Sequence, residues 1–126
     1  MQYIIMLAIV VMLALSDIIT GFIKAYITDV PRSQKMRIGG AHKIAEITVM
    51  ATSIGLEIGI EMLGKYYDSQ ALAEIVGAFT AISVFGFISL MEIVSILENY
   101  AEINPEAKWV KTMLNRMKKS DKKGDE

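Results

Sequence analysis

Residues 16–26 read Ser-Asp-Ile-Ile-Thr-Gly-Phe-Ile-Lys-Ala-Tyr, and they close an apolar run that begins at Tyr3. On a helix, Asp17, Gly21 and Lys24 are spaced i, i+4 and i+7, so all three lie on one face. An acidic side chain at the centre of a bilayer costs about 2.5–3.5 kcal/mol on insertion scales. Such a group is retained where it faces a partner or water rather than lipid. The stretch therefore predicts a membrane helix whose polar face meets another helix or water.

The composition agrees with a membrane protein. The chain has 126 residues, of which 53% are apolar, and its mean hydropathy is +0.42. These values are typical of a small polytopic membrane protein, and we expect one domain over residues 1–126. The sequence has no cysteine, which excludes disulfides and thiol catalysis. The first apolar run lacks a basic n-region and a small-residue cleavage site, so we expect it to be a retained span.

Three apolar stretches predict an all-α integral membrane protein with three transmembrane helices, at about 3–26, 44–64 and 71–100. At 1.5 Å per residue, each is long enough to cross a hydrocarbon layer of about 30 Å. The connector 27–43 is basic, and Pro31 and the Gly39-Gly40 pair are typical of turns. His42 is the single histidine, and we expect it to be an ordinary polar loop residue.

The second and third spans carry acidic residues at helical spacing. Glu46, Glu57 and Glu61 share one narrow stripe of the second span, and the wide apolar remainder favours a membrane helix over a soluble amphipathic one. Glu74 and Glu92 are eighteen residues apart, which is five whole turns, so they point the same way.

Six carboxylates are too many for three helices to hide in one monomer, because Lys24 is the one basic candidate within the predicted spans. The polar residues are therefore predicted to line a pore or an oligomer interface: Asp17, Thr20, Gly21, Lys24, Glu46, Ser53, Glu57, Glu61, Glu74, Glu92 and Asn99.

Three of these residues are expected at one depth. Asp17, Ser53 and Glu92 each lie about 12–14 Å from the end of their span that is predicted to face the cytoplasm, measured from Tyr26, Ile44 and Tyr100. We expect them to form one layer in which at least one carboxyl is protonated in the packed state. Lys24 and Glu46, one layer nearer the basic end, are the expected ion pair.

The end of the chain predicts a short basic amphipathic helix over about 105–119, with Asn104 as its N-cap and Pro105 in its first turn. The helix is too short and too charged to span, and we expect it to rest on an anionic membrane surface through Lys108, Trp109, Lys111, Arg116, Lys118 and Lys119. Residues 120–126 are expected to form a disordered charged tail.

The charges also predict the orientation. Of thirteen Lys and Arg, five lie in the first connector with its flanking Lys24 and Lys43, and seven lie from Lys108 onward, whereas Lys65 alone lies in the second connector. This bias of twelve to one places the N-terminus outside and the C-terminus in the cytoplasm. All five tyrosines fall at span ends, where aromatic belts form.

The sequence excludes several function classes. It contains no metal-binding motif, no nucleophile–base arrangement and no phosphate-binding glycine loop, so neither an enzyme, a metal nor a cofactor is predicted. The basic C-terminal residues alternate with Trp109 and methionines, a pattern that fits a membrane surface better than a nucleic acid.

Three motifs resemble a known family. Residues 17–25 resemble the signature D-x-x-T-G-x-x-K-A, and residues 33–43 resemble a basic loop S-x-x-x-x-x-G-x-x-x-K. Residues 91–99 resemble N-E-x-x-S-I-L-E-N, except that Met91 stands in the place of the first Asn. The later segment G-V-P-x-P is reduced to Ile103-Asn104-Pro105. Together these motifs resemble the phage holin family that also contains the clostridial toxin-export holins.

This resemblance implies a homo-oligomer that forms timed lesions in the host bacterial cytoplasmic membrane. The lesions would release an endolysin for host lysis or export a toxin, and an antiholin is a possible further partner. Two alternatives stay open: a small oligomeric ion or proton channel, and a membrane protein that regulates a holin.

Overall fold

A computed structural model describes residues 1–28, 33–78 and 80–123 of the chain. These residues form five helices: α1 (Gln2–Ile27), α2 (Ser33–Tyr67), α3 (Gln70–Ala78), α4 (Ala81–Ile103) and α5 (Lys108–Lys123). Across the described ranges there is no strand, so the predicted all-α fold is confirmed.

Three of the helices, α1, α2 and α4, are long and apolar enough to cross a membrane, as the sequence predicted. Large apolar side chains cover their outer faces: Ile4 is 74% exposed, Met62 66% and Phe87 67%. Side chains of this kind are stable outside a protein core only where lipid replaces water.

The three long helices pack as a bundle in which α1 lies along α4 and α2 contacts both. The centre of the bundle holds Val10 from α1, Met50 from α2, and Ala81 and Ile88 from α4, all buried. Partly buried residues such as Leu7 pack around them. This small apolar core holds the polar faces of the three helices against one another.

Helix α2 is longer than predicted. It begins at Ser33 rather than near residue 44, and Gly39 and Gly40 are helical rather than part of a turn. Glycine costs only about 1 kcal/mol in a helix, and the helix-forming residues around the pair outweigh that cost. Pro31, the other predicted turn residue, lies outside the described residues. The basic connector is therefore largely the first three turns of α2.

The predicted third span is two helices. Helix α3 ends at Ala78, and α4 begins at Ala81 after Thr80, whose φ of −75° and ψ of 142° are extended rather than helical. Phe79 lies outside the described residues. Before α3, Asp68 turns the chain with a φ of 49°, and the Ser69 N–H donates to Gly64 O at 3.1 Å. The long apolar run hid this break because it contains neither proline nor a polar cluster.

Helix α5 also differs from its prediction. Asn104 ends α4, since its N–H donates to Tyr100 O at 2.8 Å, and it does not cap the next helix. Helix α5 begins at Lys108 and extends to Lys123, so residues 120–123 of the predicted disordered tail are helical. Residues 124–126 lie outside the described ranges. Val110 and Leu114 are buried against Val94 and Leu97 of α4, so much of the apolar stripe packs on protein.

Candidate functional site

A buried ionic cluster joins the three long helices, and Lys43 of α2 is at its centre. The Lys43 Nζ lies 2.9 Å from Asp17 Oδ2 of α1 and 3.6 Å from Glu46 Oε2 of α2, and it donates a hydrogen bond to Glu92 Oε1 of α4. We call Asp17, Lys43, Glu46 and Glu92 the ionic cluster. One ammonium thus holds a carboxylate from each long helix.

The ionic cluster is deeply placed in the bundle. The side chain of Glu92 is fully buried, and those of Asp17 and Lys43 are 12% and 14% exposed. If all four groups were charged, three negative charges would meet one positive charge. Oε2 of Glu46 and Oε2 of Glu92 are both buried without a hydrogen-bond partner among the described residues. The cluster therefore has more acidic than basic groups, and two of its carboxylate oxygens lack a hydrogen bond. Buried polar atoms without a hydrogen bond lower the stability of the packed bundle.

Asn99 of α4 holds the Asp17 side chain of α1 in place through hydrogen bonds. Its Nδ2 donates to Asp17 Oδ1 at 3.0 Å and to Thr20 Oγ1 at 3.2 Å, and the Thr20 hydroxyl donates to Asp17 O at 3.1 Å. A Cβ added at Gly21 would lie 3.7 Å from Asn99 Nδ2, so the glycine allows α4 to approach α1 closely. The face of Asp17, Thr20 and Gly21 therefore meets another helix of the same chain.

A second, partly buried acid lies near the other end of the bundle. Glu57 of α2 accepts a hydrogen bond from the Tyr3 hydroxyl at 2.8 Å through Oε1, and one from the Ala81 backbone N–H through Oε2. Ala81 is the first residue of α4, and the Thr80 side chain makes no capping bond to the backbone there. Glu57 thus satisfies a free helix-terminal N–H from another helix, where the helix dipole favours an anion.

The remaining predicted polar residues are not part of these sites. Lys24 pairs with Glu102 at 2.9 Å, so its expected ion pair with Glu46 is wrong. Ser53 donates to Val49 O at 2.9 Å, within its own helix, and does not join the layer of Asp17 and Glu92.

Two further acids lie at the surface. Glu61 forms an exposed pair with Lys65 at 2.7 Å, and Glu74 is exposed. Six of the eleven predicted residues are brought together around the α1–α4 contact and Lys43 of α2: Asp17, Thr20, Gly21, Glu46, Glu92 and Asn99.

The basic residues of α5 are mostly exposed. Lys108, Lys111, Arg116 and Lys119 face outward, while Lys118 pairs with Glu98 of α4 at 2.8 Å. Trp109 packs against Tyr100, with ring centroids 6.1 Å apart and ring planes tilted by 43°. One side of helix α5 thus packs against α4, and the other side presents positive charge to the surroundings.

Lys43 is the residue that sequence reasoning missed. It was assigned to the end of a loop, where a lysine has no buried partner. Its spacing from Glu46, three residues on the same helical turn, was the available signal. That signal has meaning only if the helix already extends through Gly39 and Gly40, as it does here.

The three acids of the ionic cluster surround a lysine. Within the described ranges, no group of three or more His, Cys, Asp and Glu side chains is arranged to hold a metal ion. A lysine ammonium occupies the centre of the acids instead, and it is held by contacts that a rearrangement of the helices would break.

Comparison with known protein families shows to which family this membrane bundle belongs. Residues 2–119 match the model of the bacteriophage holin family. The chain is a member of that family. The holin family is one of membrane pore-forming proteins and not an enzyme class, and with its three long apolar helices this holin-family chain is a multi-pass membrane protein. No curated protein and no solved structure matches the chain.

Proposed function

We propose that the chain acts as a holin: it accumulates in the host bacterial cytoplasmic membrane as a packed bundle and then oligomerises into lesions. Such lesions release an endolysin to the cell wall or export a toxin. The observation that carries this proposal is the ionic cluster, in which Lys43 joins acids from all three long helices inside a bundle coated with apolar residues.

The cluster supports two states of the same helices. In the packed bundle, the acids meet Lys43 and Asn99, and the three carboxyl groups of Asp17, Glu46 and Glu92 share one ammonium. In an oligomer that encloses water, the same side chains are hydrated. Water lowers the cost of every charge in the cluster, so it favours the open assembly.

Inducible expression in a bacterial host together with an endolysin tests this function. We expect a delay followed by an abrupt fall in turbidity and by release of a folded cytoplasmic enzyme into the medium. A small ion or proton channel would collapse ion gradients without releasing the enzyme. A holin regulator would cause no killing when expressed alone and would shift the lysis time of a separate holin.

The orientation belongs to the same proposal and is tested separately. The N-terminus is expected outside and the C-terminus in the cytoplasm, because twelve of thirteen Lys and Arg lie on one side of the predicted spans. In intact cells, a membrane-impermeant reagent should label a single cysteine placed at Asp68. It should not label a single cysteine placed at Gln34. Labelling of the Gln34 variant from outside would overturn this topology.

A further inference from the structure

A groove opens where α1 and α4 end and the first turns of α2 begin. Its volume is about 920 Å³, within the range of roughly 300–1,000 Å³ that is typical of ligand sites. All three long helices line it, with Lys24 from α1, Lys35 and His42 from α2, and Asn99 from α4. We call this feature the basal groove.

The charge in the basal groove favours an anion. The described lining contains three lysines and one histidine against Asp17 and Glu102. Lys24 pairs with Glu102, and Lys43 pairs with Asp17. Lys35 and His42 are exposed, and neither has an ion-pair partner among the residues that the structure describes.

The shape of the groove leaves room beside these cations. Gly39 and Gly40 form part of its wall, and an added Cβ at either would meet no heavy atom within 4 Å. The wall of α2 between Lys35 and His42 is therefore open, and a ligand can approach the helix backbone there.

Apolar residues also line the basal groove, which distinguishes a lipid from a free anion. Phe22 is 52% exposed, Ile38 51% and Met36 43%. A headgroup phosphate needs cationic donors, whereas an acyl chain needs an apolar surface continuous with the bilayer. Basic pockets between membrane helices near the cytoplasmic surface combine these two features and bind anionic headgroups.

We propose that the basal groove binds an anionic phospholipid, with its phosphate at Lys35 and His42 and an acyl chain along Phe22 and Ile38. This site lies beside the ionic cluster, because Lys43 and Asp17 form its inner wall. The proposal requires only that the chain is embedded in a membrane. It stands or falls independently of lesion formation, since lipid binding is measured on purified protein.

Native mass spectrometry of the full chain released from detergent tests this site. Phosphatidylglycerol and phosphatidylcholine of equal chain length are titrated in separate samples, with inorganic phosphate as a competitor. We expect one phosphatidylglycerol to be retained in preference to phosphatidylcholine, and phosphate to compete weakly. Equal retention of both lipids, or displacement of the lipid by phosphate at equal concentration, would overturn the proposal.

Two variants locate the bound lipid. Lys35→Gln should weaken phosphatidylglycerol binding about fivefold, the effect of one lysine near an anionic headgroup. Arg37→Gln is the matched control, since it removes the same charge from the same helix and does not line the groove. Both positions are exposed, so circular dichroism should show unchanged helicity. Equal weakening by both variants would indicate a general charge effect and refute the site.

Discussion

The two acidic sites between the helices of this bundle are satisfied in different ways. In the ionic cluster, Asp17, Glu46 and Glu92 share the charge of Lys43, and two carboxylate oxygens have no hydrogen-bond partner within the described part of the chain. At the other site, both oxygens of Glu57 accept a hydrogen bond, one from Tyr3 and one from the start of α4.

The difference indicates different roles. Both oxygens of Glu57 accept a hydrogen bond from another helix, so a rearrangement of α2 against α4 loses these bonds, and this site holds the packed bundle together. The ionic cluster combines an attractive centre with excess negative charge, so its stability depends on whether water reaches it. The comparison predicts that neutralising an acid has opposite effects at the two sites: it destabilises the packed bundle at Glu57 and stabilises it at Glu92.

The largest effect is expected from Lys43→Met. Removal of one partner from a buried ion pair typically costs about 3–5 kcal/mol, because the remaining charges stay buried without compensation. The packed bundle should unfold at lower temperature in detergent, and lysis should begin earlier at matched membrane levels. Lys65→Met, which removes an exposed lysine paired with Glu61, is the control. An unchanged lysis time together with unchanged thermal stability would show that Lys43 does not hold the packed state.

Glu57→Gln should have the next largest effect. Its carboxamide presents an NH₂ group to one of the two donors, so one hydrogen bond is lost, at a cost of about 1–3 kcal/mol. Thermal unfolding in detergent measures this loss. Glu61→Gln, one turn further along α2, changes an exposed pair and should alter stability by less than about 1 kcal/mol. Equal effects at both positions would contradict the structural role of Glu57.

Glu92→Gln should act in the opposite direction. Glu92 is attracted by Lys43 and repelled by two other carboxylates, and its burial penalises the charged form. Its neutral isostere should raise the free energy of unfolding by about 1 kcal/mol and delay the onset of lysis. Asp17→Asn should delay lysis in the same way. If both variants insert normally and trigger at the time of the unmodified chain, the cluster serves only for packing.

The smallest effect of a single substitution is expected at α5, which touches neither acidic site. Deletion of the chain after Asn104 removes basic residues that contribute about 1 kcal/mol each near an anionic surface, and it should shift the onset of lysis but leave lesions possible. Lys118→Gln removes a single exposed pair with Glu98 and should have an effect of at most about 1 kcal/mol. Permanent loss of lysis by the truncated chain at normal membrane levels would contradict this assignment.

The sequence predicted the α1 face of the site better than its α2 partner. Spacing alone placed Asp17, Gly21 and Lys24 on one helix face, because that face has the local period of a helix. Lys43 was not found, since its position depends on a helix that continues through two glycines. Glu57 is predicted to lie on the polar face that lines a pore or an oligomer interface. Its partner within the bundle, the N–H of Ala81, is free to bond only because the third apolar run breaks at Thr80. Such partners are set by tertiary packing rather than by local pattern.

The length of α2 has a mechanical consequence. Its 35 residues extend about 52 Å, whereas the 23 residues of α4 extend about 34 Å, close to the hydrocarbon thickness of about 30 Å. Hydrophobic mismatch acts on the apolar stretch of each helix, so both helices respond to bilayer thickness, but α2 also carries polar first turns that project beyond the hydrocarbon. We therefore expect a thinner or thicker bilayer to tilt α4 and α2 to different extents and to change the register at which Glu92 meets Lys43.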